Sequence, residues 1–385
     1  MPIYRRSKIV MLVMAGLLLA LGLLAHQAGW PPFAQLQPPP GPAGELERHP
    51  LYAGYRFGGP GVLDFGVQPL FFPVSTVTEA MRRDQILARG MARLGLTVRF
   101  HPFLKGVDLN HFLTSGRLRG GVAGDMPAFS VASRGQVLVT SLVHQGYISL
   151  LAGRQMLIDE LRGRTVGFAQ GSAAQFALLR VLRLGGLDGG QVRMLPLDVT
   201  QMPTAVRDGR VAALAAWEPN STALLAQFPE LRVIHRSLYY GFMYFDEAWA
   251  REHQPAMREM LAAQMRAMYW MRASHQNLLT ACGWAMKAGR ALMPPDLDVA
   301  LGEYAHLVER DLLAVLPLPL IPRQDLAPRG RIARDYGLYR ELARHRPLPE
   351  WAAVSPSFDR DLALEVASAP QVYRLHEFDY ADARP

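Results

Sequence analysis

The sequence predicts an α/β protein of two lobes with a ligand cleft between them. Three observations carry that prediction: short apolar strands alternate with helical stretches, the succession occurs twice, and similar turn residues close each copy. Strands and helices alternating through short connections form parallel βαβ units. An approximate internal duplication divides the chain into two of them.

In the first copy the apolar stretch 62–67 reads as a strand that runs into a turn and then a helix. Thr76-Val77-Thr78-Glu79 has the pattern of a capping box opening that helix, which ends at Leu94-Gly95-Leu96. A second strand, 97–100, leads through a polar loop to a short helix closed by Gly116-Arg117, and a third strand ends in Gly124-Asp125-Met126-Pro127. The second copy repeats the order. Strand 165–168 is followed by a helix that Gly171-Ser172 opens and Gly185-Gly186-Leu187 ends, then by strand 192–197. A short helix closed by Gly209-Arg210 precedes strand 211–216, which ends in Trp217-Glu218-Pro219. Ligands in open α/β sheets bind at the carboxyl ends of strands, so the loops Gln68-Pro69, 124–127, Gly171-Ser172 and 217–219 are expected to face the cleft.

Composition narrows the function classes. The chain has 385 residues, half of them hydrophobic and 19% charged, enough for two ordinary domains and too little charge for disorder. The net charge of +8 is dispersed, with no five-residue basic block, which is the pattern of a solvated surface and not of a nucleic-acid footprint. The single cysteine, Cys282, excludes an internal disulfide, a cysteine-based zinc site and a cysteine-ligated iron–sulfur cluster, and reads as a small core residue. HExxH, GxSxG, the Walker lysine loop and GxGxxG are absent, and the 11 histidines never fall in a metal-ligand spacing. No catalytic residue, cofactor or metal is therefore expected.

At the N-terminus Arg5, Arg6 and Lys8 precede an apolar run, 9–25, at the short limit for spanning a bilayer. The pattern predicts an export element over 1–29, with the positive residues cytoplasmic and the body outside the cytoplasmic membrane, in the periplasm or its equivalent. The Ala-x-Ala pattern is absent, so a cleaved signal peptide and a retained membrane anchor both stay open. No cysteine lies near the end of the run, which excludes a lipid-anchored mature end. Residues 30–50 carry Pro31, Pro32, Pro38, Pro39, Pro40 and Pro42 and read as a semi-extended tether.

The succession GVQP, GDMP, QGYISLLA, LRGRTVGFAQGSA, DVTQMPTAVRDGRVAALAAWEP and FPELRVIHRS, spread over 63–272, resembles the substrate-binding proteins of ABC importers for nitrate, taurine, aliphatic sulfonates and thiamine-pyrimidine precursors. The resemblance implies a type II periplasmic-binding-protein fold that closes on a small molecule. Lobe 1 would then comprise 51–147 and 238–385 with a C-terminal helical extension, and lobe 2 would comprise 148–237, with crossings near 145–152 and 238–244. It also implies ABC permease and ATPase subunits as partners.

Each candidate site residue has a chemical reason and a plainer alternative. Gly171, Ser172 and Ala173 at a helix start offer backbone N–H groups and a hydroxyl to a sulfonate, carboxylate or phosphate, or Ser172 simply caps the helix. Trp217 and Glu218 offer an aromatic wall and a carboxylate to a flat ring bearing a donor, or are a core tryptophan beside a surface acid. Gln68, beside Pro69, can donate and accept at the first strand's end. Asp125, beside Met126, contacts ligand or caps the turn before Pro127, the cap being the better reading. Tyr147, Tyr239 and Tyr240 sit near the crossings and could line the cleft. Glu218 would repel a bare anion, which favours a zwitterionic or ring-nitrogen ligand over a bare nitrate or simple sulfonate.

Three functions follow from these readings. The first is an extracytoplasmic solute-binding protein delivering a small sulfonate-like, zwitterionic or ring-nitrogen ligand to an ABC importer. The second is a membrane-tethered sensor or accessory binding protein acting through a partner, since the eight residues before the apolar run are too few to signal. The third, an enzyme like the thiamine-pyrimidine synthases that share the fold, is disfavoured by the single cysteine and the export signal. Farther on, the stripe Met257, Met260, Leu261, Met265, Met268 and Tyr269 reads as core filler, LPLPLIP at 316–322 as a stiff connector, and the last forty or so residues, with Trp351 and Phe358, as packing back on the first lobe.

Overall fold

The computed structural model describes residue 44 and residues 46–292, 299–314, 317–343 and 347–382. The expected export element, most of the tether and Leu316 at the head of LPLPLIP lie outside the described residues. No helix among the described residues is long and apolar enough to cross a membrane.

The first copy forms β1 (Val62–Val67), α1 (Val74–Arg83), α2 (Gln85–Arg93), β2 (Thr97–Pro102), α3 (Gly106–Thr114), β3 (Gly120–Gly124) and α4 (Asp125–Ala132), and leads into the long β4 (Val137–Ala152). The second forms β5 (Thr165–Phe168), α5 (Ala173–Leu184), β6 (Arg193–Pro196), α6 (Met202–Arg207), β7 (Ala213–Trp217) and α7 (Asn220–Gln227), and returns through the long β8 (Arg232–Asp246). Helices α8 (Glu247–Glu252), α9 (Gln254–Ala273), α10 (His275–Arg290) and α11 (Leu301–Val308) follow, α11 running on into a π-helical turn, Glu309–Leu313. Then come α12 (Arg323–Leu326), α13 (Arg331–Leu342), α14 (Trp351–Val354) and α15 (Asp361–Ser368).

The eight strands among the described residues join one sheet in the order β2-β1-β3-β8-β4-β7-β5-β6. Within each copy the strands run parallel, β1 between β2 and β3, and β5 between β6 and β7. The antiparallel ribbon β4/β8 stands between the copies. The first copy pairs with the 241–245 end of β8 and the second with the 148–152 end of β4, so the ribbon changes neighbours around Gln145↔Tyr240 and Gly146↔Tyr239. Both expected crossings lie largely inside these two strands. This is the two-lobed α/β fold, one lobe built on β1–β3 and the other on β5–β7.

The local sequence accounts for these elements. β4 is buried along almost its whole length, as a strand covered on both faces should be. β3 reads Gly-Gly-Val-Ala-Gly because neighbours press on it: a Cβ at Gly121 would stand 2.8 Å from Leu109 Cδ1 of α3. The expected capping box does not form. α1 begins at Val74 after Pro73, so Thr76 lies inside its first turn with its hydroxyl on the Pro73 carbonyl, and Glu79 receives Arg82 and Arg83. The single helix expected there is broken at Asp84, whose Oδ1 accepts from the N–H groups of Ile86 and Leu87 at 2.8 and 3.1 Å and starts α2.

Asp84 also anchors the first lobe's helical layer. Its Oδ2 accepts from Arg266 Nε of α9 at 2.7 Å, both side chains are buried, and Arg266 Nη1 donates to the Tyr373 carbonyl at 2.7 Å. One carboxylate thus ties the α1/α2 break, α9 and the C-terminal tail. Around it Met257, Met260, Leu261, Met265 and Met268 are fully buried, which makes the methionine stripe core, while the Tyr269 ring lies tilted against His376 at 4.8 Å. The tail packs back as expected, Phe358 against Phe129 and Phe242, with the Asp359 N–H on the Val139 carbonyl of β4. Removing one member of a buried ion pair strands the other, at a cost of about 3–5 kcal/mol. Asp84→Ala is expected to lower stability by that amount, read as a drop in the urea midpoint.

Candidate functional site

The carboxyl ends of the parallel strands meet between the lobes, as the topology requires. They line a narrow, closed cleft of about 20 Å³, room for about one water molecule. The β1–β3 lobe contributes Gln68 and Phe71 after β1, Lys105 and Gly106 after β2, and Gly124 and Pro127 around the start of α4. The other lobe contributes Ser172 and Ala173 at the start of α5 and Trp217 at the end of β7, and Tyr239 comes from the ribbon.

Gln68 is held from behind, its Nε2 donating to the Val122 carbonyl of β3 at 2.8 Å. Ser172 is the N-cap of α5: its hydroxyl donates to the Ala169 carbonyl at 2.7 Å and accepts from the Ala174 N–H at 3.1 Å. The Gly171 N–H is taken by Gln175 Oε1 at 2.8 Å. Part of the donor set expected for an anion is therefore occupied within the loop. Trp217, 7% exposed, crosses the cleft and donates from Nε1 to the Leu70 carbonyl of the opposite lobe at 2.8 Å.

The lobes are in contact. Gly171 has φ +71°, which suits glycine, and a Cβ there would stand 2.7 Å from Val107 Cγ1 of α3 on the other lobe. A Cβ at Gly124 would reach within 3.1 Å of Ala173 Cβ. Lys105 Nζ reaches Asp198 Oδ1 of the second lobe at 3.2 Å.

The remaining sequence candidates stand away from the lining. The Pro69 carbonyl lies against Gly289 of α10. Met126 is buried. Asp125, 1% exposed, accepts the Met126 N–H on Oδ1 at 2.8 Å, and burial pushes its carboxyl up to about 7. Glu218, 6% exposed, uses Oε2 on the Thr222 N–H and hydroxyl at 3.1 and 2.7 Å, while Oε1 lies 3.6 Å from Arg310 Nη2. Its charge holds the start of α7 and faces a guanidinium. Of the three tyrosines, Tyr239 lines the cleft, Tyr147 is exposed, and Tyr240 is buried beneath Arg331.

Sequence reading missed Lys105 and Phe71, whereas Tyr239 was among the tyrosines it named. The signal for Lys105 was available, since Lys105-Gly106 joins a strand end to a helix start in the first copy. Phe71 is a hydrophobic position in the loop between β1 and α1, and it reaches the cleft by packing against Tyr239 of the ribbon. Behind them His144 lies edge-on to both rings, and burial drives its pKa down to about 3, so it is a neutral imidazole. The cleft offers an aromatic slot, an amide, a hydroxyl and one ammonium. That set has the polar groups and ring faces by which a small molecule is held and oriented. Cys282 is buried in α10 with its thiol pushed up to about 12 by burial. Among the described residues no three His, Cys, Asp or Glu side chains gather where they could hold a metal.

Comparison with known proteins agrees with this geometry. Residues 118–286 match the NMT1-like family. Over 131 residues the chain is 29% identical to a protein of Escherichia coli strain K12 described as a putative aliphatic sulfonates-binding protein, a match that covers 32% of this chain and 41% of that relative's length. Among solved structures, the alkanesulfonate-binding protein of Xanthomonas axonopodis pv. citri bound to MOPS superposes with a TM-score of 0.58 at 19% identity, over 78% of this chain and 99% of that one. A variant of the desulfurization enzyme DSZB in complex with biphenyl-2-sulfinic acid superposes with a TM-score of 0.51 at 15% identity, over 80% and 99%. Residues 118–286 are thus similar to the NMT1-like family, and the chain has the two-lobed α/β fold of the solved sulfonate-binding proteins.

Proposed function

We propose that this protein is an extracytoplasmic solute-binding protein that captures a small organic anion between its lobes and delivers it to an ABC permease and its ATPase. One observation carries the reading: Gln68, Ser172 and Trp217, from three separate strand ends, meet in a single cleft with Lys105. The named relatives that bind sulfonates support it, as does the positive-then-apolar N-terminal pattern. The ligand we favour has an anionic end and an apolar or flat body. Lys105 supplies positive charge at the cleft, Trp217, Phe71 and Tyr239 supply faces for the body, and Glu218 is turned to Thr222 and Arg310. The objection to a bare anion, raised from Glu218, loses its basis in that arrangement.

A thermal-shift screen of the soluble body against alkanesulfonates, taurine, nitrate and aminopyrimidines tests the reading. Ligand at 100 times its Kd adds about 2.7 kcal/mol, a shift that is easily seen. A screen in which only uncharged or cationic compounds stabilise the fold overturns the choice of ligand. On the best hit, Lys105→Gln is expected to weaken binding by about tenfold or more, the loss of a hydrogen bond to a charged group. Trp217→Ala should cost at least about 1 kcal/mol from lost ring contact, and Glu218→Gln should leave affinity unchanged. Calorimetric titration of the three variants checks these outcomes.

Placement is tested separately. A reporter fused to the C-terminus is expected to be active only when the reporter functions outside the cytoplasm. Activity of a cytoplasm-dependent reporter instead would remove the extracytoplasmic assignment.

A further inference from the structure

We infer that α13 is a strap across the seam between the lobes, and that the buried cluster of Asp125, Arg180 and Asp335 beneath it sets, by its ionisation, how far the cleft opens. The inference is independent of the ligand assignment. It rests on contacts made by an extension that the cleft chemistry does not use.

Residues from three separate parts of the fold bear on one another here: Arg180 and Asp335 are hydrogen-bonded, and the buried Asp125 is linked to both through charge. Arg180 lies on α5 of the β5–β7 lobe, Asp335 lies on α13, and Asp125 heads α4 of the β1–β3 lobe. Arg180 donates from Nη1 to Asp335 Oδ1 at 3.0 Å and from Nη2 to the Leu238 carbonyl of the ribbon at 2.5 Å. The rings of α13 hold both lobes. Tyr336 lies edge-on to Phe129 of α4 at 5.7 Å, and Tyr339 lies 6.0 Å from Phe129 and 6.3 Å from Phe176 of α5. At the rim Arg183 of α5 pairs with Glu341 of α13. A hinge motion that separates α4 from α5 must strip α13 from one of them.

The charges give the strap its sensitivity. Facing the two carboxyls are Arg180 from α5, Arg331 and Arg334 from α13, Asp325 from α12 through its neighbour Tyr240, and Tyr239 and Tyr240 from β8, with His235 beyond Arg180. Oδ2 of Asp125 and Oδ2 of Asp335 are buried with no hydrogen-bond partner among the described residues. Burial raises both carboxyls, Asp125 to about 7. The sign follows directly. A carboxyl whose value is raised in the closed form favours that form while it is protonated, and this support is lost as pH rises through about 7. In an opened form that admits water, the same carboxyl ionises in the ordinary range and resists closure.

The test is a distance measurement on the full chain without ligand. Spin labels are placed at Thr114→Cys on α3 and Thr204→Cys on α6, exposed positions on opposite lobes, with Cys282 left buried. Between about pH 6 and pH 8.5 the ratio of long to short distances is expected to rise about tenfold, the effect of one coupled proton over that interval. Asp125→Asn should keep the short distance throughout. A wild-type distance that does not respond to pH, or a response unchanged in Asp125→Asn, overturns the inference. Should Asp125→Asn not fold, Tyr339→Leu decides the strap: a larger long-distance fraction at pH 6 supports it, and an unchanged one removes it.

Discussion

The antiparallel ribbon of β4 and β8 is the constraint on which the rest of this structure depends. The chain enters the second parallel unit through one of these strands and leaves it through the other, and each unit pairs with a different end of the ribbon. The lobes therefore share a sheet and cannot move independently of its twist. Strand-end loops of both units are brought to one place because the ribbon sets the two units side by side at a fixed register. Shifts in that register between Val139 and Ser141 and between Leu142 and His144 fall just before the change of neighbours, where a sheet is able to bend without losing its ladder on either side. Beside this change of neighbours the buried His144 packs edge-on against the rings of Phe71 and Tyr239.

Contacts across the cleft differ widely in weight. The ion pair of Lys105 and Asp198 joins the lobes visibly, but the Asp198 side chain is half exposed, and exposed pairs contribute about 0–1 kcal/mol. The indole of Trp217 is buried and places a neutral hydrogen bond on the Leu70 carbonyl, worth about 0.5–1.5 kcal/mol net in addition to the area it covers. Closeness of the backbones at Gly171 and Gly124 adds packing that any side chain there would prevent. Among these contacts across the cleft, shape and aromatic burial therefore weigh more than the exposed ion pair. Lys105 can exchange Asp198 for another anion at little cost to the closed state.

The parts of this molecule legible in its sequence are those set by local pattern. Alternation of strand and helix, the Gly-Arg closures and the strand-end loops are short-range features, and they sufficed to place Gln68, Ser172 and Trp217 at one cleft. Direction of a side chain is not local. Glu218 follows Trp217 by one position, and a strand end alone cannot show that its carboxylate turns to Thr222 four residues on, beside Arg310 from a segment far along the chain. The capping box at Thr76 failed for a related reason, because Pro73 brings the helix start forward and leaves the threonine inside it. Lys105 was overlooked because a lysine before a helix is ordinary in composition, and its distinction lies in Asp198, which only the folded chain puts within reach.

Charge placement connects the ribbon to the chemistry of the cleft. Of the acids expected there, Glu218 faces Arg310 and Asp125 is drawn into the seam with Arg180, so both stand outside the lining while Lys105 remains in it. A carboxylate aimed into the slot would raise the cost of bringing in an anion, whereas one held by a helix start and a guanidinium costs it little. The same C-terminal extension supplies Arg310 to Glu218 and Asp335 to Arg180. An extension with no residue in the cleft lining therefore shapes the cleft's electrostatics from behind, holding acids that lie next to the strand ends.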